Sequence, residues 1–219
     1  MKPYWSSSDG EIYHGNVLEV LRGMADESVQ MCVTSPPYWG LRDYGNEPVD
    51  LVLTDPPYPD CYTDKYKYDP EKIKYLDNFK VKQFIFWTSK CDFLLDYTAI
   101  HIWDKKTGCG SEYERIFERN GHKNFKVFNY YLINSTVAAS FCGEQFTGHG
   151  SQKPKKLIVE LLEYSRTNGL VLDPFLGSGT TAVACERLNR KWIGIEIEER
   201  YCQIAAKRIE AERKQLKLF

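Results

Sequence analysis

The fold is decided by the stretch Asp173-Pro174-Phe175-Leu176-Gly177-Ser178-Gly179-Thr180-Thr181. A short apolar run, 170–172, precedes it and predicts a strand, while the residues from 180 to 188 have the pattern of a helix. Glycines in the connecting loop let the backbone approach a ligand closely, and the helix N-terminus presents free N–H groups and a positive dipole end. This strand, loop and helix predict a binding site for a ligand that contains a nucleoside.

An acidic residue lies at the end of the next predicted strand, 191–197. Glu196 follows Asp173 by 23 residues, a placement that suits hydrogen bonds to ribose hydroxyls. A phosphate-binding P-loop would need a lysine directly after Gly179, and a dinucleotide site would need G-x-G-x-x-G. Both are absent here. A nucleoside cofactor therefore remains, and the alternative is a tight structural turn without a ligand.

The same alternation of strands and helices extends toward the N-terminus. Strands are predicted at 11–14, 29–34, 49–53, 84–88, 98–103, 129–133, 170–172 and 191–197. Helices are predicted at 17–24, 70–80, 113–120, 151–168, 180–188 and from 198 onward, with the third ending at Gly121 and the fourth at Asn168-Gly169. This order predicts an α/β fold with a mostly parallel sheet and helices on both faces.

Composition limits the class of protein. The 219 residues are 42% hydrophobic, enough for one compact domain with a core, and no apolar run is long enough to span a membrane. The seven cysteines form no C-x-x-C pair, which favours free thiols in a cytoplasmic protein and argues against a metal site. The net charge of −1 argues against a protein that coats nucleic acid by charge alone.

A Pro-Pro-Tyr tetrapeptide occurs twice, each time after a predicted strand. Ser35-Pro36-Pro37-Tyr38 follows 29–34, and Asp55-Pro56-Pro57-Tyr58 follows 49–54. About ten residues separate Tyr38 from the next strand, fewer than the dozen or so that a parallel crossover needs. The two copies therefore cannot hold equivalent positions, and one must lie at an edge, in a hairpin or in a loop.

Together the tetrapeptide, the glycine loop and Gln152-Lys153-Pro154 resemble the motifs of the β-class DNA amino-methyltransferases. These enzymes use S-adenosylmethionine to methylate adenine N6 or cytosine N4. The resemblance extends over residues 11–210 and implies a Rossmann-like methyltransferase fold. It implies a seven-stranded sheet with one antiparallel strand near its edge, in a single domain over 1–219. That domain has two catalytic-type loops in 1–58, middle strands in 59–150 and a cofactor-binding half in 151–219.

The resemblance also implies roles for particular residues. In this family the glycine loop binds the methionine end of the cofactor, Glu196 takes the place of the ribose-binding acid, and Asn16 stands where the family usually has an aspartate near the adenine. The implied cofactor-binding residues are Asp173, Phe175, Gly177, Ser178, Gly179, Thr180, Glu196, Lys153, Pro154 and Asn16.

The tetrapeptide has a clear chemical purpose in that family. Its first side chain and a proline-region carbonyl accept the hydrogens of the target amino group, and its tyrosine stacks on the extruded base. We favour the second copy, Asp55, Pro56, Pro57 and Tyr58, because it leads directly into the following family-like strands. The alternative catalytic copy is Ser35, Pro36, Pro37 and Tyr38.

The target base and the partners are less constrained. Members with Asp-Pro-Pro-Tyr often methylate adenine N6, and those with Ser-Pro-Pro-Tyr often methylate cytosine N4. We therefore expect DNA as substrate with adenine preferred, cytosine N4 as the alternative, and an inactive nucleic-acid-binding protein as the alternative from another class. A restriction endonuclease partner and a homodimer are further hypotheses.

Two segments bear on DNA recognition. The family usually inserts a recognition region before the Lys-Pro segment, but only 135–150 is available here, which predicts a loop. The segment 61–82 interleaves tyrosines with lysines and is either a DNA contact or a solvated face. His149 is a candidate lining residue of the site, whereas His101, flanked by isoleucines on a predicted strand, is more typical of the core.

Overall fold

The computed structural model describes residues 2–24, 49–57, 69–107, 112–149 and 152–216. The predicted strand 29–34, the first tetrapeptide copy Ser35, Pro36, Pro37 and Tyr38, and Tyr58 of the second copy lie outside these residues. Residues 61–68 of the tyrosine- and lysine-rich segment 61–82 do so as well.

The described residues form one mixed sheet of nine strands. They are β1 (Trp5–Ser6), β2 (Gly10–His14), β3 (Val49–Thr54), β4 (Lys82–Trp87), β5 (Ala99–Asp104), β6 (Tyr113–Arg119), β7 (Val127–Asn129), β8 (Leu170–Asp173) and β9 (Trp192–Glu196). Their spatial order is β1-β2-β9-β8-β3-β4-β6-β5-β7. Within this sheet β1 and β6 run opposite to the other seven strands.

Six α-helices accompany the sheet in the described part of the chain. They are α1 (Val17–Gly23), α2 (Pro70–Tyr75), α3 (Thr136–Phe141), α4 (Lys155–Ser165), α5 (Thr180–Arg187) and α6 (Glu199–Leu216). Alternate residues of β3 point to opposite faces. Leu51 and Leu53 join a buried cluster with residues of α4, α5 and α6, while Val52 joins another with residues of α1. Helices therefore cover both faces, which confirms the predicted α/β class.

The strand count differs from the predicted seven. Short strands at each edge, β1 and β7, account for the two additional members. The predicted antiparallel strand near the edge corresponds to β6, which pairs with β4 on one side and β5 on the other. The architecture is otherwise the one that the motifs imply.

Several predicted elements were wrong or displaced. The helix predicted at 113–120 is strand β6, because its charged residues are buried against partners rather than exposed: Glu118, for example, bonds His101 at 2.8 Å. The strand predicted at 129–133 lies at Val127–Asn129. The loop predicted at 135–150 contains α3, whose N-terminus is capped by Ser135.

The helix predicted at 151–168 is shorter at both ends. It begins after Pro154, which is its N-cap, and ends at Ser165. Arg166 adopts the left-handed conformation at φ 55° and stops the helix before the Asn168-Gly169 pair. The backbone N–H groups of Asn168 and Gly169 both donate to the Asp50 carboxylate, which fixes the start of β8.

The described residues also bear on other expectations. Cys91, Cys142, Cys185 and Cys202 are free thiols. Across the described ranges, no helix has the length and apolar character needed to cross a membrane. His101 is fully buried between aromatic rings, as expected for a core residue.

Candidate active site

Three acidic residues meet at the carboxyl edge of the parallel strands. Asp55 follows β3, Asp173 ends β8 and Glu196 ends β9, and these strands are near neighbours in the sheet. Ligands of open α/β sheets bind at this edge. The Thr54 hydroxyl donates a 2.9 Å hydrogen bond to Asp173 Oδ1, so the ends of β3 and β8 are joined directly.

The glycine loop between β8 and α5 is held in an unusual backbone conformation. Gly177 and Gly179 have φ of 55° and 82°, in the left-handed region that favours glycine. The Gly177 N–H donates to Glu196 Oε2 at 2.8 Å, and the Glu198 N–H donates to Oε1 at the same distance. Glu196 thereby fastens the loop to the end of β9, and burial raises the pKa of its carboxyl group.

Helix α6 packs against the loop from behind. A Cβ atom placed on Gly179 would lie 2.6 Å from the Cβ of Ala205, so only glycine fits at this approach. Arg208 of the same helix donates through one nitrogen to the Ser178 carbonyl at 2.7 Å, the Ser178 hydroxyl at 3.0 Å and the Thr180 hydroxyl at 3.1 Å. These bonds direct both hydroxyl side chains of the loop toward α6.

His149 packs between the loop and α6. Its Nε2 would be 3.2 Å from a Cβ atom on Gly177, and its ring meets the Tyr201 ring edge-on at 4.5 Å between centroids. Burial, with the nearby charges of Lys153 and Arg208, lowers the pKa of His149 to about 4. The imidazole is therefore neutral near pH 7, where it adds a polar group to the loop without adding charge.

Asp173 is a buried carboxylate at the centre of the site. Besides Thr54, the Phe175 N–H donates to its Oδ1 at 3.1 Å. Burial raises the pKa of Asp173 to about 6, and the charge of Asp55 contributes in the same direction. Asp173 thus organises the start of the glycine loop and links it to β3.

The two carboxylate oxygens of Asp55 differ in hydrogen bonding among the described residues. Lys153, from the segment before α4, donates to Asp55 Oδ2. Asp55 Oδ1 is buried and has no hydrogen-bond partner among the described residues. Burial raises the pKa of Asp55 to about 6, opposed by Lys153 and reinforced by Glu114. The open oxygen is an acceptor that a ligand N–H group could satisfy.

Lys153 belongs to a chain of alternating charges. Its Nζ lies 3.3 Å from Glu114 Oε1, and Glu114 Oε2 lies 3.1 Å from Lys105 Nζ. The same ammonium group stands over the ring of Phe86, 5.0 Å from its centroid. The chain Asp55–Lys153–Glu114–Lys105 therefore runs from Asp55 along the carboxyl edge of the sheet to the end of β5.

Other residues implied by the resemblance lie nearby. Asn16 caps α1 by accepting the Leu18 N–H at 3.0 Å, and it follows Gly15, whose N–H donates to the Glu196 carbonyl at 2.9 Å. Phe175 packs partly buried beside the α1 face of the sheet. Pro56 and Pro57 directly follow Asp55, while Tyr58 and the Ser35 copy lie outside the described residues.

Three charged residues of the site were not found from the sequence. Glu114 lay in a predicted helix, and Lys105 lay just beyond a predicted strand. Arg208 lay in a charged stretch of the last helix. In each case the side chain type is ordinary for a solvated surface. Only the tertiary packing distinguishes them, since it pairs Glu114 with Lys105 and brings Arg208 to the glycine loop.

The comparison with known families decides the class of protein. The family model described as DNA methylase, covering N6- and N4-modifying enzymes, matches residues 77–207, more than half of the chain.

The chain belongs to the N6/N4 DNA methylase family. It is therefore an S-adenosylmethionine-dependent methyltransferase that acts on amino groups of DNA bases. The resemblance predicted from the motifs is thereby confirmed.

Individual relatives extend over nearly the whole chain. The methylase is 26% identical to the type II methyltransferase M2.DpnII of Streptococcus pneumoniae, a match that covers 96% of this chain and 93% of the relative. It is also 26% identical to M2.LlaDCHI of Lactococcus lactis subsp. cremoris, over 95% and 92%.

Solved structures show the same fold. The methylase matches M1.HpyAVI with a TM-score of 0.57 and 22% identity, covering 91% of this chain and 98% of that one. It matches the PvuII DNA methyltransferase with a TM-score of 0.61 and 17% identity, covering 97% and 93%. The Rossmann-like methyltransferase fold predicted from the motifs is therefore confirmed.

Proposed function

We propose that this methylase modifies adenine N6 at specific DNA sequences, and that its catalytic loop is Asp55, Pro56, Pro57 and Tyr58. One observation carries the choice of loop. Asp55 stands at the end of a strand joined to the glycine loop through Thr54 and Asp173, with one carboxylate oxygen held by Lys153 and the other open. A hydrogen-bond acceptor next to a cofactor loop is what an amino-group methylase requires.

The residues of the glycine loop fit S-adenosylmethionine. Gly177, at φ 55°, has no side chain to cover the loop backbone, and the His149 imidazole packs beside it, where a Cβ atom would lie 3.2 Å from Nε2. Glu196 and Asn16 flank adjacent strand ends, where hydroxyl and adenine groups would bind. When bound, the cofactor supplies an electrophilic methyl group on a sulfonium centre. Asp173, Phe175, Gly177, Ser178, Gly179, Thr180, Glu196, Lys153, Pro154 and Asn16 are the residues we propose to hold it.

The proposed loop acts on the amino group of the base. Conjugation with the ring delocalises the nitrogen lone pair, which makes the group a poor nucleophile. Asp55 Oδ1 accepts one amino hydrogen and a proline-region carbonyl accepts the other, which favours a pyramidal nitrogen with a directed lone pair. Tyr58 stacks on the extruded base, and the two prolines limit motion of the loop. Most of the rate enhancement then comes from positioning.

The position of β3 favours the second copy over the first. This strand lies inside the sheet, between β8 and β4, and is parallel to both. Its carboxyl end therefore lies beside the glycine loop.

Cytosine N4 is the second candidate target. The Ser35 tetrapeptide has the form that cytosine-modifying members often carry, and the PvuII enzyme that shares the fold is named as cytosine-N4-specific. Adenine is preferred because Asp55 is the copy beside the cofactor loop. Since relatives are named type II methyltransferases, we also propose a companion restriction endonuclease that recognises the same sequence.

Base identification tests the proposal. The purified chain is incubated with duplex DNA and cofactor labelled in the methyl group, and the product DNA is digested to nucleosides. We expect label in N6-methyl-2′-deoxyadenosine. Label in N4-methylcytosine nucleosides would replace adenine with the second candidate, and label in neither base with any DNA would contradict the proposed activity.

A further inference from the structure

Glu114 is a buried anion on an interior strand, with a lysine at each oxygen. Its side chain is 5% exposed, and it lies on β6 between β4 and β5. Lys153, 9% exposed, lies 3.3 Å from one oxygen, and Lys105, 16% exposed, lies 3.1 Å from the other. Burying a carboxylate is strongly unfavourable unless its partners are close and well oriented. The two nearby lysines therefore offset the cost of burying Glu114.

Lys153 is shared between two carboxylates. On one side it donates to Asp55 Oδ2, and on the other it contacts Glu114. The aromatic rings of Phe86 and Trp103 lie beneath its ammonium group, at 5.0 and 5.8 Å from the centroids. An ammonium held from three sides has little freedom to rotate. Glu114 acts on this group through its charge, since its Oε1 lies within ion-pair distance of Lys153 Nζ but makes no hydrogen bond among the described residues.

We propose that Glu114 and Lys105 are positioning residues for methyl transfer: through Lys153 they hold the Asp55 carboxylate so that Oδ1 faces the amino group of the target base. This inference rests on the proposed role of Asp55. It concerns residues outside the tetrapeptide and the glycine loop, and neither residue touches the substrate itself.

The two positioning residues affect Asp55 with opposite signs. The charged groups that face Asp55 are Lys153 before α4, Glu114 on β6, Lys105 after β5 and Asp173 on β8. The negative charge of Glu114 raises the pKa of Asp55, and the positive charge of Lys105 lowers it. The ionised carboxylate of Asp55 is a stronger acceptor than the protonated acid, so we expect the methylation rate to fall as the pH drops through its pKa.

The test is a pair of substitutions with measured pH profiles. Single-turnover methylation of DNA at saturating cofactor is followed from acid to neutral pH for Glu114→Gln and Lys105→Met. Matched controls are Glu112→Gln and Lys106→Met, exposed residues of the same type beside each position. We expect the acid limb to move down by about one pH unit in Glu114→Gln and up in Lys105→Met, from a Coulomb interaction across several ångströms. The plateau rate of Glu114→Gln should fall about tenfold because Lys153 loses its second anchor.

Two outcomes would overturn the inference. Acid limbs that coincide with those of the controls, or that shift in the same direction in both variants, would show that the charges act only on folding. If Glu114→Gln does not fold, Lys105→Met decides alone: an upward shift supports the inference and an unshifted limb overturns it. Failure of the proposed function is a separate result, since Asp55→Ala would then retain the wild-type rate.

Discussion

Replacing Arg208 by methionine should weaken cofactor binding without removing any proposed cofactor contact. One guanidinium nitrogen donates three hydrogen bonds to Ser178 and Thr180, at 2.7 to 3.1 Å. Methionine keeps the length of the aliphatic chain but none of the donors. The glycine loop would then lose its attachment to α6, and its hydroxyls would be free to rotate.

The magnitude follows from these bonds. Hydrogen bonds to a charged group contribute about 1.5–3 kcal/mol each to stability, but three bonds from a single nitrogen are not additive. A loss of about 1.5–3 kcal/mol of loop preorganisation corresponds to about a 10- to 100-fold weaker dissociation constant. Isothermal titration calorimetry with S-adenosylmethionine measures this directly, with the exposed neighbour Lys207→Met as the matched control.

Arg208→Lys refines the result. A lysine retains the charge near Glu144, which lies 3.8 Å from the guanidinium, but cannot make the same three bonds. We expect intermediate affinity. If Arg208→Met binds the cofactor as tightly as Lys207→Met while remaining folded, the loop does not depend on α6 and the reasoning is refuted.

Three further predictions concern the loop and its carboxylates. Gly179→Ala should destabilise the fold by about 1–3 kcal/mol and abolish measurable cofactor binding, because residue 179 has φ 82° and a Cβ atom there would clash with Ala205. Thermal unfolding measures the stability and calorimetry the binding, and an unchanged melting temperature would contradict the close packing of the loop on α6. Asp173→Asn should raise the melting temperature at pH 8: the folded pKa of about 6 exceeds the unfolded value, so the charged carboxylate costs stability above pH 6 and this cost disappears as the pH falls. An unchanged difference between the two proteins at pH 8 and pH 5 would argue against that burial cost. The wild-type single-turnover rate should fall with a midpoint near pH 6 as Asp55 protonates. His149, with a pKa of about 4, should produce no inflection near pH 6.5. A midpoint that does not depend on Asp55 would exclude the assignment of this titration to Asp55.

The sequence was most informative where one local pattern determines the structure. The glycine loop, with a strand before it and a helix after it, was predicted correctly because the positive φ angles at Gly177 and Gly179 require glycine. Strands β3, β8 and β9 were predicted because they are largely buried and mostly apolar. These elements place Asp55, Asp173 and Glu196 at one edge.

Local patterns failed where tertiary partners override them. Strand β6 contains Glu114, Glu118 and Arg119, which indicate a solvated helix until their partners on β5 and directly after α2 are known. The charge chain that ends at Asp55 has the same origin. No spacing rule connects Lys105, Glu114 and Lys153, because they come together only when β5, β6 and the segment before α4 are packed.

The choice between the two tetrapeptides tests the central claim most directly. Asp55→Ala and Ser35→Ala are compared with the wild-type chain in single-turnover transfer of labelled methyl groups to duplex DNA, with cofactor affinity measured in parallel. The account predicts that Asp55→Ala loses methylation by at least about a hundredfold while still binding cofactor, since it removes the acceptor for the amino hydrogen. Ser35→Ala should retain most of the rate. Full activity in Asp55→Ala together with loss of activity in Ser35→Ala would contradict the account.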